Sequence, residues 1–237
     1  MTLLSMIGEV ANTMGQSAPT AVITSTDTMV LEWLAMANTS GKALRINYPW
    51  QEITKEQLFT STAAYNQGTI QGTIVTANDF DRMVDNTLWN RSGVMKATGP
   101  ITSSEWQQDK AFSAAAPFPK YRIWQGQLYI GPSVPTAGDT WAFEYLSKFW
   151  CQGAAGTGQS SWAADTDTGI LSENLMKLDI IWRWKSSKSL EYADDLANYE
   201  DELALRQGQT TGARALYVGG ANIVFPINVP EGNWPTS

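Results

Sequence analysis

Apolar positions near the start of the chain recur at helical spacing. Leu3, Leu4, Met6, Ile7, Val10, Ala11 and Met14 line one face, which predicts an amphipathic helix over residues 2–15 with Gly15 as its C-cap. A polar loop containing Pro19 follows, and Thr26 or Asp27 is placed to cap a second helix. Val30, Leu31, Leu34 and Ala35 carry that helix to about Asn38. It resumes towards Tyr48, where Pro49 stops it, and Ser40-Gly41 is a place for a kink or interruption. From residue 51 the helical period disappears. Phe59–Thr62, Gly68–Val75 and Asp79–Val84 through Leu88-Trp89 have strand composition, and Ser103 or Ser104 can cap a short helix over Glu105–Phe112. Tyr121–Gly131 reads as a hairpin turning at Gln125-Gly126, and Thr140–Trp150 alternates again. These segments predict five or six strands. Residues 152–170 are Gly, Ala, Ser, Thr and Asp, a surface loop. One continuous helix is then expected from about Ser172 to Arg206, roughly 50 Å long at about 1.5 Å per residue. A helix of that length suits a subunit that packs lengthwise against copies of itself.

The pattern defines an α+β chain. Residues 1–50 and 171–206 form a helical bundle, 51–170 a β-rich antiparallel insertion, and 207–237 an extended C-terminal arm. The arm opens on a flexible stretch at 207–212 and continues through Asn222-Ile-Val-Phe-Pro-Ile-Asn-Val-Pro230. It is too apolar for a solvated tail. It either docks on a partner surface, presenting Ile223, Phe225 and Ile227, or folds back on the β module.

Composition narrows the function classes. The chain has 237 residues, 43% of them hydrophobic and 16% charged, as in a globular protein. It has no histidine and one cysteine, Cys151. Histidine-dependent nucleophile pairs and His-containing zinc sites are therefore excluded, and no intrachain disulfide is possible. Apolar runs are shorter than a membrane helix needs, and the N-terminal residues lack the basic region of a secretory signal. The net charge is −7 and the pI about 4.6, which argues against stable binding to DNA. Eleven tryptophans exceed what a core of this size needs. Trp is favoured at interface hot spots, although core and strand-end positions explain them equally well.

Four stretches invite a chemical reading. Gly153-Ala-Ala-Gly-Thr-Gly-Gln-Ser160 has the phosphate-loop spacing, but Gln159 stands where the lysine is required and no helix is predicted to follow. Asp165-Thr-Asp167 could offer oxygens to calcium but lacks the remaining acids of such a loop, so a loop or capping role is expected. Asp79, Asp81 and Asp85 are expected to be exposed loop acids. Trp182-Arg-Trp-Lys185 lies on a predicted helix, where Trp182 and Trp184 diverge by about 200°. One of the pair should face the bundle and the other a neighbouring subunit. No catalytic, cofactor-binding or metal-ligating residues are expected.

Gly99-Pro100 with Glu105-Trp106, Tyr121-Arg122-Ile123, Gly138-Asp139-Thr140, Glu144-Tyr145, Ala164-Asp165-Thr166-Asp167, Trp182-Arg183-Trp184-Lys185 and Glu191-Tyr192-Ala193 resemble the head–tail adaptor (connector) proteins of tailed bacteriophages. Leu3-Leu4 through Gly15, Asp27 and Tyr48-Pro49-Trp50 extend the likeness to the opening helices. The resemblance implies a helical bundle with an embedded β domain and a homo-oligomeric, commonly dodecameric, ring. The ring would join the portal protein to the tail tube or nozzle protein at the neck of the virion. Double-stranded DNA would pass through its lumen without specific binding, and neither a membrane nor a cofactor is involved. The protein would be made in the host cytoplasm and would not be an enzyme. The other reading from the residues is a tail-fibre-like or carbohydrate-binding β module, its tryptophans forming sugar platforms and its helices a stalk. The long helix has no sustained heptad, which counts against a stalk.

Overall fold

The computed structural model describes residues 1–112 and 118–210. It is a mixed α+β molecule with antiparallel sheets. Among the described residues there are five α-helices: α1 (Leu3–Thr13), α2 (Thr28–Asn47), α3 (Ser103–Phe112), α4 (Glu173–Ser187) and α5 (Ala193–Thr210). The strands are β1 (Thr54–Thr60), β2 (Asn66–Thr69), β3 (Phe80–Met83), β4 (Trp89–Asn90), β5 (Met95–Lys96), β6 (Lys120–Trp124), β7 (Gln127–Gly131), β8 (Thr140–Ser147), β9 (Cys151–Gln152), β10 (Gly158–Gln159) and β11 (Thr168–Gly169). They are shorter and more numerous than the five or six that the sequence suggests, because several form only where β8 or β9 offers an edge.

The local chemistry accounts for most boundaries. Thr2 and Ser5 make a reciprocal capping box on α1. At its other end the Gln16 amide donates to the Ala11 carbonyl and the Gly15 amide to that of Asn12, with Gly15 at φ 71°. This is the six-to-one and five-to-two bonding that a left-handed glycine permits. Asp27 caps α2 through the Met29 amide at 2.9 Å. The cap of α3 is Thr102, one residue before the expected serines. It bonds the Glu105 amide while the Glu105 carboxylate accepts from the Thr102 amide. Gln125 and Gly126 both have positive φ, 50° and 71°, as a two-residue hairpin turn between β6 and β7 requires.

Two expectations fail for physical reasons. Ser40-Gly41 does not interrupt α2, which runs as one helix of 20 residues. Both residues are buried, and a Cβ at position 41 would overlap the Trp150 ring. Glycine serves there for close approach, not for a bend. The single helix over 172–206 is two helices. After Lys188, Ser189 takes a left-handed φ of 56°, the Leu190 amide returns to the Lys185 carbonyl (2.9 Å) and the Ser189 amide to that of Ser186 (3.1 Å). This is the same terminating motif as at Gly15, built on serine. The chain then reverses, so that Trp182 lies against Tyr199 and Lys185 pairs with Asp195. No helix of about 50 Å occurs among the described residues, and the inference of lengthwise packing against other copies loses that support.

Two apolar clusters organise the molecule. The first gathers Leu3, Ile7 and Val10 of α1, Val30, Trp33 and Leu44 of α2, Met176 and Ile180 of α4 and Tyr199 of α5. Trp50, Ile53, Leu146, Trp150, Cys151 and Trp162, all from outside the α-helices, join it. The second is formed by residues between 70 and 145, among them Leu88, Tyr121, Leu128, Trp141 and Phe143. β8 touches both. Trp141, Phe143 and Tyr145 point into the second cluster, and Leu146 into the first. β8 is also the centre of its sheet, paired with β1 on one side and with β3 and β4 on the other. β2, β7 and β6 make a second sheet, and β10, β9 and β11 a small third.

Candidate functional site

The acids that could suggest chemistry turn out to hold the chain together. Asp165 and Asp167 lie on the loop before β11. The Asp165 carboxylate accepts from the amides of Val22 (3.1 Å) and Ile23 (2.8 Å), and that of Asp167 from Ala163 (2.7 Å) and Ala164 (2.8 Å). Their carbonyls accept from the amides of Leu4 and Leu3. The first turn of α1, whose amides have no partner within the helix, is thus completed by this loop. The loop role expected from the sequence holds, but the helix these acids serve is α1, since Ser172 caps the helix that follows them. No group of three or more His, Cys, Asp or Glu side chains close enough to hold a metal occurs among the described residues.

Asp79 departs from expectation. It is fully buried rather than an exposed loop acid, and it accepts from Lys55 Nζ (2.6 Å), the Tyr145 hydroxyl (2.9 Å) and the Ser147 hydroxyl (3.1 Å). Burial pushes its carboxyl up, but the hydrogen bond from Lys55, that from Tyr145, the Lys55 charge and the bond from Ser147 together hold it below the ordinary value. Burial and the Asp79 carboxylate push the Tyr145 hydroxyl well up. This network ties β1, β3 and β8 together and leaves the carboxylate no access to solvent. Asp81 forms an ion pair with Arg45 at 3.0 Å, joining β3 to α2.

The phosphate-loop spacing at Gly153–Ser160 covers the turn after β9 and the whole of β10, with Gly156 at φ 77°, and a loop rather than a helix follows it. Cys151 is buried beneath the same turn. Burial, followed by the Asp167 charge, pushes its thiol up to about 12, so it is not a nucleophile.

The tryptophans divide clearly. Trp33, Trp50, Trp106, Trp141, Trp150 and Trp162 are core residues, so most of the described tryptophan excess serves the interior. Trp89 and Trp124 are exposed at 43% and 48%. Trp182 and Trp184 are half-buried and diverge as the helical pitch requires, yet each packs within its own chain. Trp182 lies between Tyr192 and Tyr199, with the Arg183 guanidinium 4.8 Å above its ring. Buried Asp179 accepts from both the Trp182 indole (2.8 Å) and Arg183 Nε (2.8 Å). Burial, then the Asp179 charge, pushes the Tyr199 hydroxyl up to about 12. Trp184 packs on Trp33 at 6.4 Å. A groove between α2 and α4, lined by Glu32, Met36, Thr39, Trp182 and Arg183, leaves one side of Trp182 accessible. Ile223, Phe225 and Ile227 lie outside the described residues.

A second accessible apolar surface crosses the sheet. Leu58 on β1, Ala142 on β8 and Trp89 on β4 are register partners in sequence across three strands, with Lys96 of β5 next in register and Val94 beside Trp89. Leu58 is 46% and Val94 80% exposed. Sequence alone does not mark this row, because the pairing that aligns it depends on register between distant segments.

No family model matches the chain, and no curated protein matches it either. No helix among the described residues is long and apolar enough to cross a membrane.

Proposed function

We propose that the chain is a structural virion protein, a head–tail adaptor of the tailed-bacteriophage kind. The observation that carries this reading is architectural. Helices from the two ends of the described chain, α1 and α2 with α4 and α5, share one core, and every strand among the described residues lies between α2 and α4 in sequence. This favours a helical bundle (1–50 and 171–206) carrying a β-rich insertion (51–170), the arrangement that the resemblance implies. The likeness motifs also fall at positions that fix this arrangement. The backbone carbonyls of Asp165 and Asp167 close α1, Tyr121 is fully buried in the β cluster, and Trp182 of α4 packs on Tyr199 of α5.

In this reading the subunit forms a ring, commonly dodecameric, between the portal and the tail tube or nozzle, at the virion neck, with DNA passing through the lumen. Contacts between copies use the groove beside Trp182 and the Leu58–Trp89 row. A carbohydrate-binding module on a helical stalk is disfavoured, since the helices fold back on one another. Light scattering tests the proposal. The subunit mixed with the portal of its phage should give a complex of ring mass. Stable association with a sugar polymer, and none with portal, would overturn it.

A further inference from the structure

β6 and β7 turn one face to the core and one away from it. Tyr121, Ile123, Leu128 and Ile130 enter the second cluster, so Arg122, Trp124 and Tyr129 lie on the opposite face. α3 covers one end of that face. Its Trp106 packs on Tyr129 at 6.0 Å, and a Cβ at position 131 would meet the Trp106 ring at 3.0 Å. The rest is open, with Trp124 48% and Tyr65 41% exposed. Two cations stand over these rings. The Arg122 guanidinium is 5.6 Å from the Trp124 ring, and Lys110 Nζ is 5.6 Å from that of Trp106 and 6.0 Å from that of Tyr65. The acids nearby are committed. Asp109 pairs with Lys120 at 2.9 Å, and Glu105 accepts from the Thr102 amide and hydroxyl at the start of α3. Arg122 donates to the Ser103 hydroxyl at 2.8 Å. Neither Arg122 nor Lys110 has a carboxylate partner among the described residues. Trp, Tyr and Arg together are the composition of an interface hot spot.

α5 carries the complementary surface. Leu196, Tyr199 and Leu203 turn to the first cluster. About two and three turns beyond Asp194, Asp201 and Leu205 share its side of the helix, which faces outward. All three are exposed, Leu205 at 56%. The neighbouring acids of α5 are paired, Asp195 with Lys185 and Glu202 with Arg206, but Asp194 and Asp201 have no cationic partner among the described residues. Asp194 also suits the first turn of the helix, where an acid is favoured. Asp201, in mid-helix, has no such use.

We infer that the outward side of α5 in one copy docks on the Trp124–Tyr65 face of the next. The inference rests on the ring of the proposed function and adds a contact to those at the Trp182 groove and the Leu58–Trp89 row. Two anions meet two cations, and Leu205 meets the exposed rings. The helix belongs to the first cluster and the face to the second, so the contact is head-to-tail. Each copy keeps one surface of each kind free for the next, and such contacts close into a ring when the rotation allows. A two-fold pairing of either surface with itself would set like charges together. Each acid covered is matched by a cation covered, so the charge per copy stays at −7.

Charge reversal with rescue tests this. Lys110→Glu with Arg122→Glu in one chain, and Asp194→Lys with Asp201→Lys in another, should each weaken self-association about tenfold or more, measured by sedimentation of the full chain over a range of concentrations. An equimolar mixture of the two should regain it, because each altered surface then finds its opposite. Zero-length carbodiimide cross-linking of mixed isotope-labelled and unlabelled native chains should join Lys110 of one copy to Asp194 or Asp201 of another. Variants that associate like the native chain, or a mixture as weak as its parts, would overturn the inference. Links from Lys110 confined to single chains would overturn it too, by showing that the two surfaces meet within one subunit. A native chain that forms a ring on the portal yet fails these tests leaves the proposed function standing without this contact. One that associates neither with itself nor with the portal removes both.

Discussion

Asp79 shows how a single side chain can be misread from sequence and what then follows. In the sequence it is one of three acids in a polar stretch, and nothing local marks it as buried. Only the register of β1 and β8 brings Lys55, Tyr145 and Ser147 to it. Because its folded pKa is below its unfolded value, its stabilisation is complete above the ordinary carboxylate value of about 3.9 and is lost as pH falls through the folded value. Asp79→Asn should therefore cost about 2–4 kcal/mol at pH 7. The gap between variant and native protein in urea midpoint should close in strong acid, and a gap that persists there would assign the loss to packing. Gly41 makes the complementary case. Gly41→Ala would gain helix propensity in an exposed site, but here its methyl meets the buried ring of Trp150. A fall of about 2–3 kcal/mol in unfolding free energy is expected, measurable by thermal melting.

At the scale of elements, what was legible depended on how local the deciding interaction is. α1, the Asp27 cap and the Gln125-Gly126 turn are set by residues within a few positions, and they lie where the sequence places them. The break between α4 and α5 was illegible because its left-handed residue is Ser189, where glycine would have signalled a stop. A non-glycine residue at that φ is strained by about 1 kcal/mol. Ser189→Gly should relieve this and raise unfolding free energy by roughly 0.5–1 kcal/mol. A destabilised Ser189→Gly protein would show that the serine contributes more than its backbone conformation. The exposed row Leu58–Trp89 was hidden for a third reason: it exists only across strands distant in sequence. Trp182 and Trp184 were recognised as diverging. Their packing on Tyr199 and Trp33 follows from the helix reversal that the sequence did not reveal.

For the whole molecule, charge and assembly belong together. The chain carries −7, and α5 exposes Asp194, Glu200 and Asp201. In the proposed ring such subunits would present a strongly acidic surface, past which duplex DNA could slide without counterion-releasing contacts. The free protein should accordingly show no retention of duplex DNA in a mobility-shift assay at physiological salt. The most direct test of the adaptor account is negative-stain imaging of the purified protein with the portal of its phage. The account predicts an extra ring of density stacked on the portal axis, with an open central channel. Portal particles that remain bare when the folded subunit is in excess would contradict it.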